Sequence, residues 1–221
     1  VPGTLNVSYK ALDDLFIMGG PKVDGLVLEP GEVLDMPPAH LVFFQGGMEA
    51  GFNATRRYVH QRVCPRIGGK PPLPPYHYNS WYGLATEVDE ESIMRQVSPC
   101  AEIGLEYFVL DAGWFPGTQG SDFMSGVGNW GRVNLDKFPR GLLPLAQEVR
   151  RRGMKPGLWF DFEHAQRSSD IRTQHPDWFW DIDTDDLHLD LTIPEAQEHI
   201  LETVSGWIQR LDLGWVKLDY N

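Results

Sequence analysis

Cysteine is scarce in this sequence, and its scarcity argues against two kinds of small scaffold. The 221 residues include two cysteines, Cys64 and Cys100, which are too far apart for a CxxC metal-binding motif. Two cysteines do not make a disulfide framework either. The sequence therefore predicts no metal site, and it favours a protein of reducing compartments, with the cytoplasm as the expected location.

Basic residues and long apolar runs are also in short supply. The chain has 19 Lys and Arg against 31 Asp and Glu, which gives a net charge of −12. Because such a surface repels polyanions, neither nucleic acid nor an anionic membrane is expected as the main partner. The sequence shows no secretory signal pattern and no apolar run of membrane-spanning length. With 42% hydrophobic residues it can bury a core.

The first 75 residues combine short apolar runs with turns and prolines. Residues 26–28 and 41–44 are candidate strands, each followed by a turn that contains glycine. Residues 48–63 are predicted to be helical, and residues 65–75 form a stiff, proline-rich linker. This is too little for a complete β-sandwich. We therefore predict that residues 1–75 are the C-terminal part of an N-terminal β-sandwich domain, followed by the linker.

From residue 76 the pattern changes to strands that alternate with helices, which predicts an α/β fold with a parallel sheet. The sequence Thr192-Ile193-Pro194-Glu195 predicts a capping box at the start of the last helix. Four strands and three helical crossovers would make residues 76–221 the N-terminal half of a (β/α)8 TIM barrel, and a complete open sheet is the alternative. The predicted strands are 77–81, 107–111, 155–161 and 215–221, and the predicted helices are 89–102, 141–152 and 194–211.

The last of these strands, which we expect to be short and buried, carries the candidate chemistry. Because side chains alternate along a strand, Lys217, Asp219 and Asn221 share one face. Lys217 would keep the Asp219 carboxylate ionised, and an oriented, ionised carboxylate is a candidate nucleophile. The alternative interpretation is a structural Lys–Asp pair at the end of a strand.

Two further predicted strands end in acids. Asp111 closes the strand 107–111, while Asp161 and Glu163 follow the strand 155–161. Active sites of parallel sheets gather at the carboxyl ends of the strands, so Asp111 is a candidate site residue. For Asp161 and Glu163, a buried acid bonded to neighbouring backbone or to arginine is the favoured interpretation.

Several segments resemble glycoside hydrolase family 36, the α-galactosidases known as melibiases. The final heptapeptide, residues 215–221, is similar to the nucleophile strand of that family, whose pattern is W/Y-x-K-x-D-x-N. The resemblance covers residues 76–221 well and residues 1–75 loosely. The other matching segments are Asn79-Ser80-Trp81, Leu110-Asp111-Ala112-Gly113-Trp114-Phe115, Gly128-Asn129-Trp130, Lys137-Phe138-Pro139-Arg140-Gly141-Leu142, Gly153-Met154-Lys155-Pro156-Gly157-Leu158-Trp159-Phe160, His175-Pro176-Asp177-Trp178 and Leu189-Asp190-Leu191-Thr192.

The resemblance implies an N-terminal β-sandwich, a (β/α)8 catalytic domain and a C-terminal β domain. It implies hydrolysis of terminal α-galactosides with retention of configuration. Asp219 would form the glycosyl-enzyme, and a second carboxylic acid would protonate the leaving oxygen. The resemblance implies a carbohydrate partner and no metal or organic cofactor. The residues that it places at the sugar are Asp111, Lys217 and Asn221 at the hydroxyls and Trp81 and Trp130 as walls of the pocket.

The sequence also departs from the family pattern. The acid/base of the family lies downstream of Asn221, so we expect this chain to be a fragment that is no competent hydrolase alone. Its open strand edges would favour homo-oligomers. Ala112 stands where the family has the second of two acids, and Asn129 stands where it has aspartate. Galactosidase members carry an arginine just before the segment 189–192, whereas residues 178–188 contain none here. A different pattern of sugar hydroxyls, or an N-acetylated sugar, is left open.

Three functions are consistent with these features. The leading hypothesis is a retaining α-glycosidase, most simply an α-galactosidase. A transglycosylase on the same scaffold would keep Asp219 and change only the acceptor. A carbohydrate-binding protein without catalysis would fit Ala112 and the absent acid/base, but such a protein has no need of a nucleophile.

Overall fold

The structure, a computed structural model, forms two compact units, residues 1–72 and 73–221. No helix in the part of the chain that the structure describes is long and apolar enough to cross a membrane. The described residues are 3–11, 14–21, 25–36, 38–118, 122–180 and 186–220.

The described residues of the first unit form a hairpin and a helix. Strands β1 (Gly3–Ala11) and β2 (Asp14–Pro21) pair antiparallel. Helix α1 (Met48–Tyr58) continues into a π-helical turn at Val59–Val63, so the predicted helix is confirmed.

The two strands predicted at residues 26–28 and 41–44 are wrong. Neither segment adopts strand conformation, and their apolar side chains are exposed, Val27 by 75% and Phe43 by 90%. A strand needs a neighbour for its backbone hydrogen bonds. The apolar residues of these segments are typical of strands, but composition alone does not show whether a neighbouring strand is present to pair with them.

The second unit is built on a four-stranded parallel sheet in the order β3-β4-β5-β9. The predicted α/β class with a parallel sheet is confirmed, and all four predicted strands are present. In chain order its elements are β3 (His77–Asn79), α2 (Trp81–Leu84), α3 (Glu90–Glu102), β4 (Tyr107–Leu110), α4 (Leu143–Arg151), β5 (Lys155–Phe160), β6 (His164–Gln166), α5 (Asp170–Gln174), β7 (Phe179–Trp180), β8 (Asp186–Leu189), α6 (Pro194–Leu211) and β9 (Trp215–Leu218).

Helices α3 and α6 begin in different ways. Asp89 caps α3, because its carboxylate accepts a hydrogen bond from the Ser92 backbone N–H at 2.7 Å and the Ser92 hydroxyl accepts one from the Asp89 N–H. The capping box predicted for α6 is absent. Thr192 instead donates its hydroxyl to Asp190 at 2.7 Å, and α6 begins with Pro194, whose fixed φ suits the first helical position.

The outer face of the sheet carries the core. Phe108, Leu158 and Phe160 point outward and are each at most 1% exposed. Side chains of α3, α4 and α6 belong to the same buried cluster, among them Val97, Val149 and Trp207. Burying an apolar side chain of this size contributes about 1.5–3 kcal/mol relative to leaving it in water. This layer therefore fixes the strands whose other face holds the candidate site.

The sheet is strongly curved toward its inner face. Trp215 on β9 stacks on His77 of β3 with ring centroids 5.0 Å apart, although β4 and β5 lie between these strands. In a flat sheet, strands three positions apart are separated by about 14 Å. Gly157 makes the close approach feasible, because a Cβ there would lie 2.9 Å from Val109 Cγ2 and 3.0 Å from Trp215 Cβ.

The last strand is less buried than the sequence predicts. β9 stands at the edge of the described sheet, and its pairing ends at Leu218. Val216 packs against the core, whereas Leu218 is 65% exposed.

A second, three-stranded antiparallel sheet in the order β6-β8-β7 was not predicted. Its strands are two to four residues long, too short to produce a recognisable alternation.

Candidate active site

Two carboxylates and one ammonium group meet at the carboxyl edge of the parallel sheet. Asp111 follows β4, and Asp219 follows β9, which carries Lys217. The Lys217 Nζ lies 2.9 Å from Asp111 Oδ2 and 3.0 Å from Asp219 Oδ2, so these two oxygens are less than about 6 Å apart. The structure thus brings together three of the predicted site residues.

Both carboxylate oxygens of Asp111 accept hydrogen bonds, and the residue is 2% exposed. Its Oδ2 accepts hydrogen bonds from Asn79 Nδ2 at 2.7 Å and from Lys217, and its Oδ1 accepts one from the Ala112 N–H at 2.9 Å. Its own backbone N–H donates to Ser80 Oγ. These donors fix the orientation of the carboxylate.

Asp219 is held by a partner that sequence reasoning missed. The indole N–H of Trp159 donates to Asp219 Oδ2 at 3.0 Å. This bond, and then the ion pair with Lys217, lowers the pKa of Asp219 below its ordinary value. The Asp219 backbone N–H donates to the Phe160 carbonyl, which ties Asp219 to the end of β5. The alternation along β5 could have found Trp159, because Gly157 and Trp159 share the inner face.

Lys217 is cationic for a complementary reason. Burial opposes its charge, but hydrogen bonds and attraction to Asp111 and Asp219 outweigh that effect and raise its pKa. The side chain is one-third exposed, so the pair is only partly screened by solvent. At neutral pH the cluster therefore contains an ionised Asp219 beside a charged Lys217.

A cavity of about 80 Å³ opens between these groups and a set of aromatic rings. Trp81, a predicted wall residue, lines it from the first turn of α2 rather than from the end of a strand as expected. Phe123, in the loop after β4, was not predicted at the site. The lining residues are Trp81, Asp111, Ala112, Phe123, Trp159, Lys217 and Asp219.

Trp130, the second predicted wall residue, is not among the residues that line this cavity. It is 3% exposed, and its ring packs against Phe115 at 4.8 Å and Trp159 at 5.8 Å. Its carbonyl accepts a hydrogen bond from Trp207 on α6. The structure therefore places Trp130 in the aromatic core behind Trp159, and Trp159 takes the position at the cavity.

Two other expectations concern residues near this edge. Asn221 lies outside the described residues. Asp161 is fully buried, as the favoured interpretation required, and its carboxylate lies 2.8 Å from His164 Nδ1. Among the described residues, no group of three or more His, Cys, Asp or Glu side chains is arranged to hold a metal ion.

A parallel sheet whose carboxyl edge holds paired acids, a lysine and aromatic rings is typical of a glycoside hydrolase, and comparison with known proteins gives the family. The family model described as melibiase matches residues 34–221. The chain is 28% identical over 236 residues to the probable α-galactosidase G of Emericella nidulans, which covers 99% of this chain and 32% of that protein. It is 30% identical over 202 residues to α-galactosidase AgaA of Geobacillus stearothermophilus, which covers 88% of this chain and 27% of AgaA.

Solved structures agree with the sequence comparison. The crystal structure of the family 36 α-galactosidase AgaA matches 78% of this chain and 24% of its own chain with a TM-score of 0.68 and 28% identity. An α-galactosidase of Thermus thermophilus in complex with p-nitrophenyl α-D-galactopyranoside matches 79% of this chain and 35% of its own, with a TM-score of 0.61 and 27% identity. This chain belongs to the melibiase family, in glycoside hydrolase family 36. It spans about a third or less of the length of these relatives.

Proposed function

We propose that this chain supplies the nucleophile and part of the sugar-binding wall of a retaining α-galactosidase. The observation that carries the proposal is the setting of Asp219, which stands at the mouth of a cavity with its carboxylate oriented by Trp159 and kept ionised by Lys217. The α-galactosidase relatives support the substrate class.

In this mechanism a carboxylate oxygen of Asp219 attacks the anomeric carbon and the C1–O bond to the leaving group breaks. The leaving oxygen takes a proton from a carboxylic acid, and the sugar stays bound to Asp219 as an ester. The same acid, now a carboxylate, removes a proton from water as the water oxygen attacks C1 and releases Asp219. Lys217 and Asp111 would bind ring hydroxyls, as we propose for Asn221.

Asp111 is not suited to be the proton donor, although its distance from Asp219 is compatible with the separation of about 5–5.5 Å in retaining enzymes. Both of its oxygens accept hydrogen bonds, from Lys217, Asn79 and the Ala112 N–H. A carboxyl group held by donors on both oxygens does not present a proton. We therefore assign the acid/base role to another carboxylic acid, in keeping with the position downstream of Asn221 that the family pattern implies.

We also propose that the four parallel strands are part of a (β/α)8 barrel and that residues 1–75 belong to a preceding β-sandwich domain and its linker. The contact between Trp215 and His77 across two intervening strands supports the barrel, because it requires the curvature that closes a sheet. The hairpin of β1 and β2 supports a β domain at this end of the chain.

The test is covalent trapping with an activated 2-fluoro-α-galactosyl fluoride, whose leaving group needs no proton donor. We expect a single adduct by intact mass, mapped by peptide analysis to Asp219, and no adduct after Asp219→Asn. Asp212→Asn is the matched control, because Asp212 is 82% exposed and its left-handed backbone suits asparagine. In a protein that also contains the proposed downstream acid/base, turnover of an aryl α-galactoside should fall by several orders of magnitude in Asp219→Asn and stay unchanged in Asp212→Asn. An adduct on a different residue would refute the assignment.

A further inference from the structure

The cavity beside Asp219 has two unlike sides. One side is formed by the charged groups of Asp111, Lys217 and Asp219. The other side is apolar, since a methyl group and three aromatic rings form it. These are the side chains of Ala112, Trp81, Phe123 and Trp159.

The corner at Ala112 offers a ligand no free hydrogen-bond donor from that residue. Its side chain is a methyl group, and its backbone N–H already donates to Asp111 Oδ1 at 2.9 Å. The indole N–H of Trp159 is likewise taken by Asp219. Phe123 stands nearly perpendicular to Trp159 and to Trp81, with ring centroids 5.7 and 5.4 Å apart. The Ala112 methyl group, the Phe123 ring and the Trp159 ring therefore make this corner largely apolar.

A hydroxyl group buried against the Ala112 methyl group and the Phe123 ring would lose hydrogen bonds to water and gain none from those two side chains. That loss would weaken binding by about tenfold or more, whereas a methyl group there gains from burial. An N-acetyl group is disfavoured for the same reason, because its amide N–H and C=O would both need partners. The corner therefore selects for a part of the sugar that carries no polar atom.

One position of a pyranose meets this requirement without loss of a ring hydroxyl. The anomeric carbon faces Asp219, and the ring hydroxyls need the polar side of the cavity. The substituent on C5 is the one that varies, as it is a hydroxymethyl group in hexoses, a methyl group in 6-deoxyhexoses and hydrogen in pentopyranoses. A methyl group would fill a corner lined by Ala112 and Phe123.

Resting on the proposed glycosidase function, we infer that the C5 substituent faces Ala112 and that the site prefers 6-deoxyhexosides of galacto configuration over galactosides. Pentopyranosides of the same configuration rank between the two, because they lose the methyl contact but bury no hydroxyl.

The first test is binding, which needs no turnover. Trp81 and Trp159 line the cavity, so quenching of tryptophan fluorescence reports its occupancy by D-fucose, which is 6-deoxy-D-galactose, or by D-galactose. We expect D-fucose to bind at least tenfold more tightly. Equal binding, tighter binding of D-galactose or binding of neither sugar would overturn the inference.

Variants at Ala112 test the corner itself. Ala112→Asp should reverse the preference, with the D-fucose to D-galactose affinity ratio falling at least tenfold, and Ala112→Asn should act in the same direction if the charged variant fails to fold by circular dichroism. Ala112→Val is the size control, because it weakens both sugars while the preference for D-fucose persists. An unchanged ratio in folded Ala112→Asp or Ala112→Asn would contradict the role of Ala112.

Turnover separates this inference from the function on which it rests. With p-nitrophenyl α-D-fucopyranoside and α-D-galactopyranoside, we expect the larger kcat/KM for the fucoside. Tight D-fucose binding with neither turnover nor a trapped adduct would refute the glycosidase and leave the sugar preference standing. Turnover that favours the galactoside would do the opposite.

Discussion

The inner face of the parallel sheet has different side chains at the amino and carboxyl ends of the same strands. At the amino end, Trp215 stacks on His77 and meets the edge of Tyr107, with centroids 5.0 and 5.3 Å apart. At the carboxyl end, Lys217 and Asp219 stand beside a cavity. Aromatic rings pack against one another at the amino end, whereas charged side chains surround a cavity at the carboxyl end. The packed rings and the charged groups of the candidate site therefore lie at opposite ends of the same strands.

One lysine lies at each end, Lys217 at the carboxyl end and Lys155 at the amino end, so replacing each in turn compares the two ends directly. Lys217→Met would leave the buried Asp111 carboxylate without its cation, and removing one partner of a buried pair costs about 3–5 kcal/mol. Because Lys217 is one-third exposed, we expect a loss of about 3 kcal/mol in the free energy of unfolding, measured by urea denaturation.

Lys155→Met is the matched control at the amino end. Lys155 Nζ lies 5.5 Å above the Tyr107 ring and the side chain is exposed, so its loss should cost less than about 1 kcal/mol. Similar losses of unfolding free energy in Lys217→Met and Lys155→Met would mean that the charged cluster is no more sensitive to loss of its lysine than the aromatic end.

The curvature of the sheet, which brings β9 close to β3, depends on Gly157. Gly157→Ala places a methyl group against Val109 and Trp215, and overpacking of this kind costs about 1–3 kcal/mol. We expect a loss of about 2 kcal/mol with the inner-face contacts disturbed, visible as a change in near-ultraviolet circular dichroism. Gly206→Ala in α6 should instead stabilise slightly, because nothing lies within 4 Å of its added Cβ and alanine favours helix. Equal effects of both substitutions would argue against a special requirement at Gly157.

The smallest expected effect, and the one with a pH signature, is that of Trp159→Phe. It removes the hydrogen bond that lowers the pKa of Asp219, and we expect a loss of about 1 kcal/mol because Asp219 is about one-third exposed. A lowered pKa in the folded state stabilises above the unfolded value of about 3.9 and is lost as pH falls through the folded value. The difference between the two proteins should therefore be full near pH 6 and shrink below pH 4.

The same variant should move the acidic limb of the pH–rate profile to higher pH, because Asp219 would lose its proton less readily. Trp114→Phe serves as its control, since the Trp114 indole N–H donates to the Trp159 carbonyl and not to a carboxylate. An unmoved acidic limb in Trp159→Phe would show that the indole does not tune Asp219.

Local pattern predicted much of the second unit. Strand alternation placed Lys217 and Asp219 on one face, and the rule that acids at carboxyl ends converge brought Asp111 to them. The same alternation along β5 places Trp159 on that face, but an indole ring has no charge to indicate that it would bind a carboxylate.

Other features could not be predicted from the local sequence. Trp130 lies in a loop, where no periodicity gives the direction of a side chain, and the ring packs into the core. The capping box at Thr192 failed because Asp190 competes for its hydroxyl. The apolar segments near Val27 and Phe43 have strand composition, but pairing depends on a partner that composition does not name.

The single lysine between two aspartates has a consequence for the charge balance of the proposed reaction cycle. By formal charge, two carboxylates and one ammonium group make the cluster one unit negative. In the proposed mechanism an oxocarbenium-like transition state would bring one positive charge to the same place, so the two would cancel as the old bond breaks. After esterification of Asp219 the remaining Asp111–Lys217 pair would be neutral, so the cluster would carry no net charge to hold the sugar as water arrives. One cation shared by two anions would thus suit both stages of the proposed cycle.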